Sequence, residues 1–246
     1  MATAIKKYHA RQAAREDDYY KQPQRRLIAN HLLENHSSEY MRLLSLPGAW
    51  GFENYILRKF GSNLFVNGIE RIRKIALLNS TKMIGKNPLV RHYPLLHYGF
   101  DCIETNKARL CIVEAEKLMC LPVEKAGDEL AQKTFANEFH RHTAAWIDLM
   151  SSMTDSTVGI LSGLGRMFDP KIKSAPFAIT VSCGRDPNQK WLTPGKGALE
   201  RRIYTIIYAL NLCGNRTTRI DDFWAYGGKE KGSQRMMNVI GRLVLK

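Results

Sequence analysis

The chain has 246 residues, 44% of them hydrophobic, and a formal net charge of +14. That length and apolar share suit one large folded domain or two small ones and exclude a chain disordered throughout. No apolar run reaches the ~18 residues that cross a bilayer.

Residues 1–36 read as a basic, polar, helical N-terminal arm, and residues 37–246 as the main domain. The opening MATAIKKYHARQAAREDDYY lacks the apolar stretch of a signal peptide, and Glu16, Asp17 and Asp18 argue against a mitochondrial presequence. Within RRLIANHLLENH, Leu27, Ile28, Leu32 and Leu33 give an apolar helical stripe. Met41–Gly48 is a short apolar run closing on Pro-Gly, as a buried strand entering a turn does. Phe52, Tyr55, Ile56 and Phe60 then recur at helical spacing, with Gly61 as a stop. Asn63–Glu70 is the next strand, and RIRKIALLNSTKMIG the next helix. Two strands joined by one helix predict a right-handed parallel crossover.

The middle is less regular: a strand over Leu110–Val113, a polar helical stretch over residues 122–140, and the apolar strand AAWIDLM ending near Asp148. VGILSGLGRMF reads as a helix, and Pro176–Asp186 as a strand. LERRIYTIIYALNLCG reads as an amphipathic helix with Tyr204 and Tyr208 in its core stripe and Gly214 at its end. Asp222–Tyr226 and Met237–Leu245 flank GGKEKGS as a terminal antiparallel hairpin. The sum is an α/β fold with about five parallel strands, helices on both faces and a C-terminal hairpin.

Open α/β sheets bind ligands beyond the carboxyl ends of their strands. The residues standing there are Leu46-Pro47-Gly48, Glu70, Glu114-Ala115, Asp148 and Gly184-Arg185-Asp186. A glycine turn lets backbone approach a ligand, and an acid ending the second strand can accept two ribose hydroxyls. Other roles stay open for each. Pro47-Gly48 can be a plain turn, and Glu70 can pair with Arg71 or Arg73 at the surface. Glu114 can be a solvated acid at a helix start, Asp148 a helix N-cap, and Arg185 a partner of Asp186. Trp50 either floors a pocket or packs in the core.

In this order of strands and placed acids the chain resembles the Rossmann-like S-adenosylmethionine-dependent methyltransferases over roughly residues 40–246. The resemblance implies S-adenosyl-L-methionine as cofactor. Leu46, Pro47, Gly48 and Trp50 would lie at its first loop, Glu70 on its ribose, and Glu114 and Ala115 beside its adenine. Asp148 would be the catalytic residue at the substrate end of the fourth strand. The first loop, SLPGAWGFEN, carries Gly48 and Gly51 only. No Asn-Pro-Pro-Tyr or Asp-Pro-Pro-Tyr follows the fourth strand and no Pro-Cys nucleophile is present, so the target atom is not assigned.

Charge points to the partner. Residues 185–246 hold 12 Lys/Arg against 5 Asp/Glu, half of the whole excess. Such a surplus favours a polyanion through phosphate contacts and counterion release. Arg185, Lys190, Lys196, Arg201, Arg202, Lys229 and Lys231, interleaved with Trp191, Trp224 and Tyr226, are the expected nucleic-acid contacts for DNA or RNA. Cys102, Cys111, Cys120, Cys183 and Cys213 form no CxxC pair, which predicts reduced thiols in a cytoplasm-like compartment. His92, His97, His140 and His142 lack metal-ligand spacing, so no metal is expected. The leading expectation is a methyltransferase acting on nucleic acid. The alternative is an inactive protein of the same fold that binds nucleic acid or serves in an assembly. A metal-dependent nuclease finds no matching carboxylate set.

Overall fold

The computed structural model describes residues 21–46, 59–70, 89–92, 101–104, 108–112, 115, 119, 141–149, 153–183, 198–212, 215–227 and 235–246. Helix α1 (Lys21–Glu34) leads to strands β1 (Met41–Ser45) and β2 (Leu64–Glu70). Short strands β3 (Leu89–His92) and β4 (Asp101–Glu104) precede β5 (Ala108–Ile112). Then come β6 (Ala144–Asp148), α2 (Asp155–Leu164), β7 (Ser174–Ser182), α3 (Ala198–Asn211), β8 (Arg216–Tyr226) and β9 (Met236–Leu245). All the strands join one sheet in the order β3-β4-β5-β2-β1-β6-β7-β9-β8.

The central run β5-β2-β1-β6-β7 is parallel throughout. β9 lies antiparallel between β7 and β8, so the C-terminal hairpin extends the sheet by its second strand. This is the mostly parallel α/β architecture that the sequence predicts. Lys59 and Phe60 are helical, and Gly61 stops that helix at φ +54°, a left-handed conformation that glycine adopts without strain. The antiparallel pair β3-β4, added outside β5, was not anticipated; strands of four residues carrying Arg91, Asp101 and Glu104 show no alternating pattern to read. The expected helices over residues 71–85 and 122–140 lie outside the described residues.

A parallel sheet must be covered on both faces, and its strands are correspondingly apolar. One face carries Met41, Leu43, Leu64, Val66, Ala144, Trp146 and Ala178 beneath Ile28, Ala29 and Leu32 of α1. The other carries Leu44, Ile69, Ala145, Ile147, Phe177 and Ile179 beneath α2 and α3. Leu27 of the predicted stripe faces outward, and the buried line of α1 runs through Ile28, Ala29 and Leu32. Tyr204 and Tyr208, expected in the core stripe of α3, are instead 57% and 55% exposed. They share an i, i+4 outer line with exposed Leu212, while the aliphatic line Ile203, Ile206 and Leu210 takes the core.

A β-bulge sets the far edge of the sheet. Ile220 pairs with Gly241 and Asp222 with Ile240, leaving Asp221 as the extra residue. A one-residue insertion moves the side chains that follow to the opposite face. Accordingly Ile220 packs on the α2/α3 face, and Trp224 on the α1 face. Gly241 is required opposite: a Cβ there would stand 2.3 Å from the Arg219 carbonyl oxygen. Asp221, freed from pairing, takes both oxygens to Arg242, at 2.9 and 2.8 Å.

Arg216, fully buried, joins the hairpin to the domain. Its guanidinium donates to the carbonyls of Ile172 (2.9 Å), Asp169 (2.8 Å) and Leu243 (3.2 Å) and lies 5.8 Å from the centre of the Phe168 ring. Arg216→Met is expected to leave these buried acceptors unfilled and cost about 3 kcal/mol. At this chain length the thermal midpoint should fall by roughly 10 °C.

α1 is anchored by histidine. His31 Nε2 donates to the Gly241 carbonyl at 3.1 Å, and Nδ1 accepts from the Asn35 amide at 3.2 Å, which fixes the neutral ring. Burial lowers its pKa below the ordinary 6.5, and burial does the same to His36, which bonds Thr143 Oγ1 at 2.7 Å. Both rings protonate more readily in the unfolded chain. Stability is therefore full above about pH 6.5 and lost as pH falls from there toward the folded-state values. Chemical denaturation at pH 7.5 and 5 should show this acid loss, and His31→Gln should reduce it.

Candidate functional site

β1 connects to β2 on one side, while β6, its other neighbour, leads away to β7. Strand order therefore reverses between β1 and β6, and a crevice forms outside the carboxyl ends of strands at such a point. Because these strands are parallel, Leu46, Glu70 and Asp148 all stand on one rim, with Ile112 paired to Glu70 at the end of β5. Glu70 is 9% exposed, so it is not a solvated surface acid. Leu46 and Ala115 are half-buried against the α2/α3-face core. Pro47, Gly48, Trp50 and Glu114 lie outside the described residues. Asp148 ends β6 and does not cap α2: Thr154 holds that place, its hydroxyl accepting from the Thr157 N–H at 3.2 Å.

Register carries the rim further. Asp148 aligns with Thr180 of β7, Thr180 with Asn238 of β9, and Asn238 with Trp224 of β8. All four face α1, giving a polar row across an otherwise apolar surface. Thr180 Oγ1 donates to Asn238 Oδ1 at 2.7 Å, and the Trp224 indole N–H donates to Gln24 Oε1 of α1. A cavity of about 20 Å³ lies over this row. Asp148, Thr180, Asn238 and Trp146 line its sheet side, Gln24, Arg25 and Ile28 come from α1, and Tyr226 comes from β8. Thr180, Asn238, Trp146 and Arg25 were not anticipated as site residues. The signal for two of them was a polar residue inside an apolar strand, Thr180 in PFAITVS and Asn238 in MMNVIG, which a core does not bury without a partner.

Among the expected polyanion contacts, Arg201 and Arg202 are described. Arg202 is 5% exposed, turned into the protein, which withdraws it from a surface role; Arg201 is half-buried. Arg185, Lys190, Lys196, Lys229 and Lys231 lie outside the described residues. His142 is a buried structural histidine: Nδ1 donates to the Met167 carbonyl at 2.7 Å and Nε2 accepts from Asn67 at 2.8 Å. Among the described residues no three His, Cys, Asp or Glu gather to hold a metal, and no helix is long and apolar enough to cross a membrane.

No protein-family model matches the sequence, and no curated protein does. Solved structures do. A sarcosine dimethylglycine methyltransferase assigned in Galdieria sulphuraria is 10% identical, with a TM-score of 0.51 over 90% of this chain and 85% of its own. The geranyl diphosphate C-methyltransferase of Streptomyces coelicolor A3(2), in complex with S-adenosyl-L-homocysteine, is 11% identical, with a TM-score of 0.50 over 91% and 81%. An S-adenosylmethionine-dependent methyltransferase of Methanosarcina mazei is 12% identical, with a TM-score of 0.50 over 87% and 97%. With its parallel core, switch point and inserted last strand, the chain has the Rossmann-like fold of class I S-adenosylmethionine-dependent methyltransferases.

Proposed function

We propose that the chain is an S-adenosyl-L-methionine-dependent methyltransferase whose substrate is nucleic acid. The observation that carries the cofactor reading is Glu70, a buried carboxylate closing β2 at the switch-point rim. A shielded acceptor there suits a pair of ribose hydroxyls. The half-buried apolar side chains of Leu46 and Ala115 suit the flat faces of an adenosyl group. When bound, the cofactor supplies an electrophilic methyl sulfonium. The protein's own part is largely positioning, since holding acceptor and methyl in line lowers the barrier without further chemistry. Asp148, at the end of β6 beside the cavity, orients the acceptor atom or takes its proton.

Two of the solved neighbours named above are, by their names, enzymes of small molecules, geranyl diphosphate and sarcosine or dimethylglycine. The nucleic-acid reading for this chain rests on its +14 charge and the concentration of cations in its last quarter. Titration calorimetry with S-adenosyl-L-methionine tests the first half. The wild type is expected to bind, and Glu70→Ala to bind roughly 10–100-fold more weakly, as loss of hydrogen bonds to a charged group implies. No heat from the wild type at millimolar cofactor would overturn the enzyme reading and favour a non-catalytic binding protein. A salt series with single- and double-stranded oligonucleotides tests the second half. Log affinity should fall linearly with log salt concentration; affinity insensitive to salt would remove the polyanion.

A further inference from the structure

In the lining of the cavity under α1, Asn238 has a polar atom left over. Asn238 is 1% exposed, its Oδ1 is occupied by the Thr180 hydroxyl, and its Nδ2 finds no acceptor among the described residues. A buried amide donor without an acceptor is costly, and native proteins fill such a group with water or a ligand. Two strands along the same row stands the Asp148 carboxylate, an acceptor. Adjacent strands lie about 4.8 Å apart, so donor and acceptor arise from backbone positions about 10 Å apart, with their side chains on the same face. Arg25 lines the α1 side, one cation to the one anion of Asp148, and the aromatic residues Trp146 and Tyr226 complete the lining.

We propose that this cavity is a subsite for the edge of a planar, uncharged group that carries a carbonyl oxygen beside an N–H. The carbonyl accepts from Asn238 Nδ2, and the N–H is directed toward Asp148. A neutral ligand fits because guanidinium and carboxylate already balance; a carboxylate ligand would meet Asp148 unfavourably. The volume of about 20 Å³ admits edge atoms only, with the rest of the ring in the mouth. Asn238 is then a specificity-determining residue, and Thr180 a positioning residue that turns its amide. Uracil, thymine and guanine bases and free carboxamides all present this edge. Because Asp148 is shared, the inference extends the proposed function to the kind of group the site reads, but its binding test needs no cofactor.

The test is the side-chain amide signal of Asn238 in the ¹⁵N-labelled full chain without cofactor, assigned by its loss in Asn238→Ser. The chain is titrated separately with uridine, acetamide and ribose. A saturable shift with uridine and none with ribose supports the subsite and a base as its source. A shift with acetamide of at least equal affinity supports the subsite and assigns it to free carboxamides. Asn238→Ser should weaken uridine binding about tenfold, as loss of one hydrogen bond implies, and Thr180→Val should weaken it while the Asn238 signal remains visible. No shift with either probe, or a long-lived water on Nδ2 that persists at the highest ligand concentration, overturns the proposal. Failure of S-adenosyl-L-methionine binding alongside a uridine shift would overturn the methyltransferase reading and leave the subsite standing.

Discussion

The parallel pairing of β1 with β2 on one side and β6 on the other is the constraint on which the site depends. Parallel strands share a direction, so their carboxyl ends share a rim. That is what gathers Leu46, Glu70 and Asp148 from positions more than a hundred residues apart in sequence. Parallel pairing also requires crossovers that cover both faces. Closing the sheet with helices thus leaves the rim as the place where side chains at strand ends escape the apolar layers. Acids are tolerated there because one side of each group borders the crevice instead of hydrocarbon.

The far half of the site depends on a different device. Without the bulge at Asp221, Trp224 and Tyr226 would continue on the α2/α3 face with Ile220. With it they turn toward α1, where Trp224 bonds Gln24 and Tyr226 lines the cavity. The bulge needs Gly241 opposite, and the carbonyl of Gly241 is the acceptor that holds His31 of α1. One small residue thus serves two contacts: it admits the β8 backbone, and it presents its carbonyl to the helix that roofs the cavity. Edge distortion, helix docking and site shape are one coupled arrangement, which is a common use of bulges near sites.

This coupling marks where sequence alone reaches its limit. The five central strands were readable because burial on both faces makes them continuous apolar runs ended by turn residues, as in AAWID and PFAITVS. The acids at strand ends were readable because each is the first charged residue after such a run. The bulge was not, since the expected strand began at Asp222, past the doubled acid, and the change of face exists only relative to β9. Nor was the polar row, because Asp148, Thr180, Asn238 and Trp224 become neighbours through register between strands. Tyr204 and Tyr208 misled for a related reason. Periodicity marks an apolar line on a helix but does not decide which of two lines meets the sheet.

Formal charge needs the same spatial correction. Arg25, Arg109, Arg202 and Arg216 are all buried, so four of the 37 basic residues offer no guanidinium at the surface for direct phosphate contact. Arg216 shows how such a cation is tolerated: three carbonyl dipoles and an aromatic face replace its water, and the Asp169 charge favours it. Two of the four, Arg202 and Arg216, belong to the C-terminal quarter on which the polyanion reading leans. Setting them aside leaves at most ten of that quarter's 12 cations for direct phosphate contact. The net field still attracts phosphates, but its use depends on where the remaining cations stand relative to the rim. Cations clustered beside Asp148 and Asn238 would steer a strand into the cavity. Cations spread over the β8 edge would give only loose association, because exposed charges more than about 10 Å apart are largely screened at physiological salt.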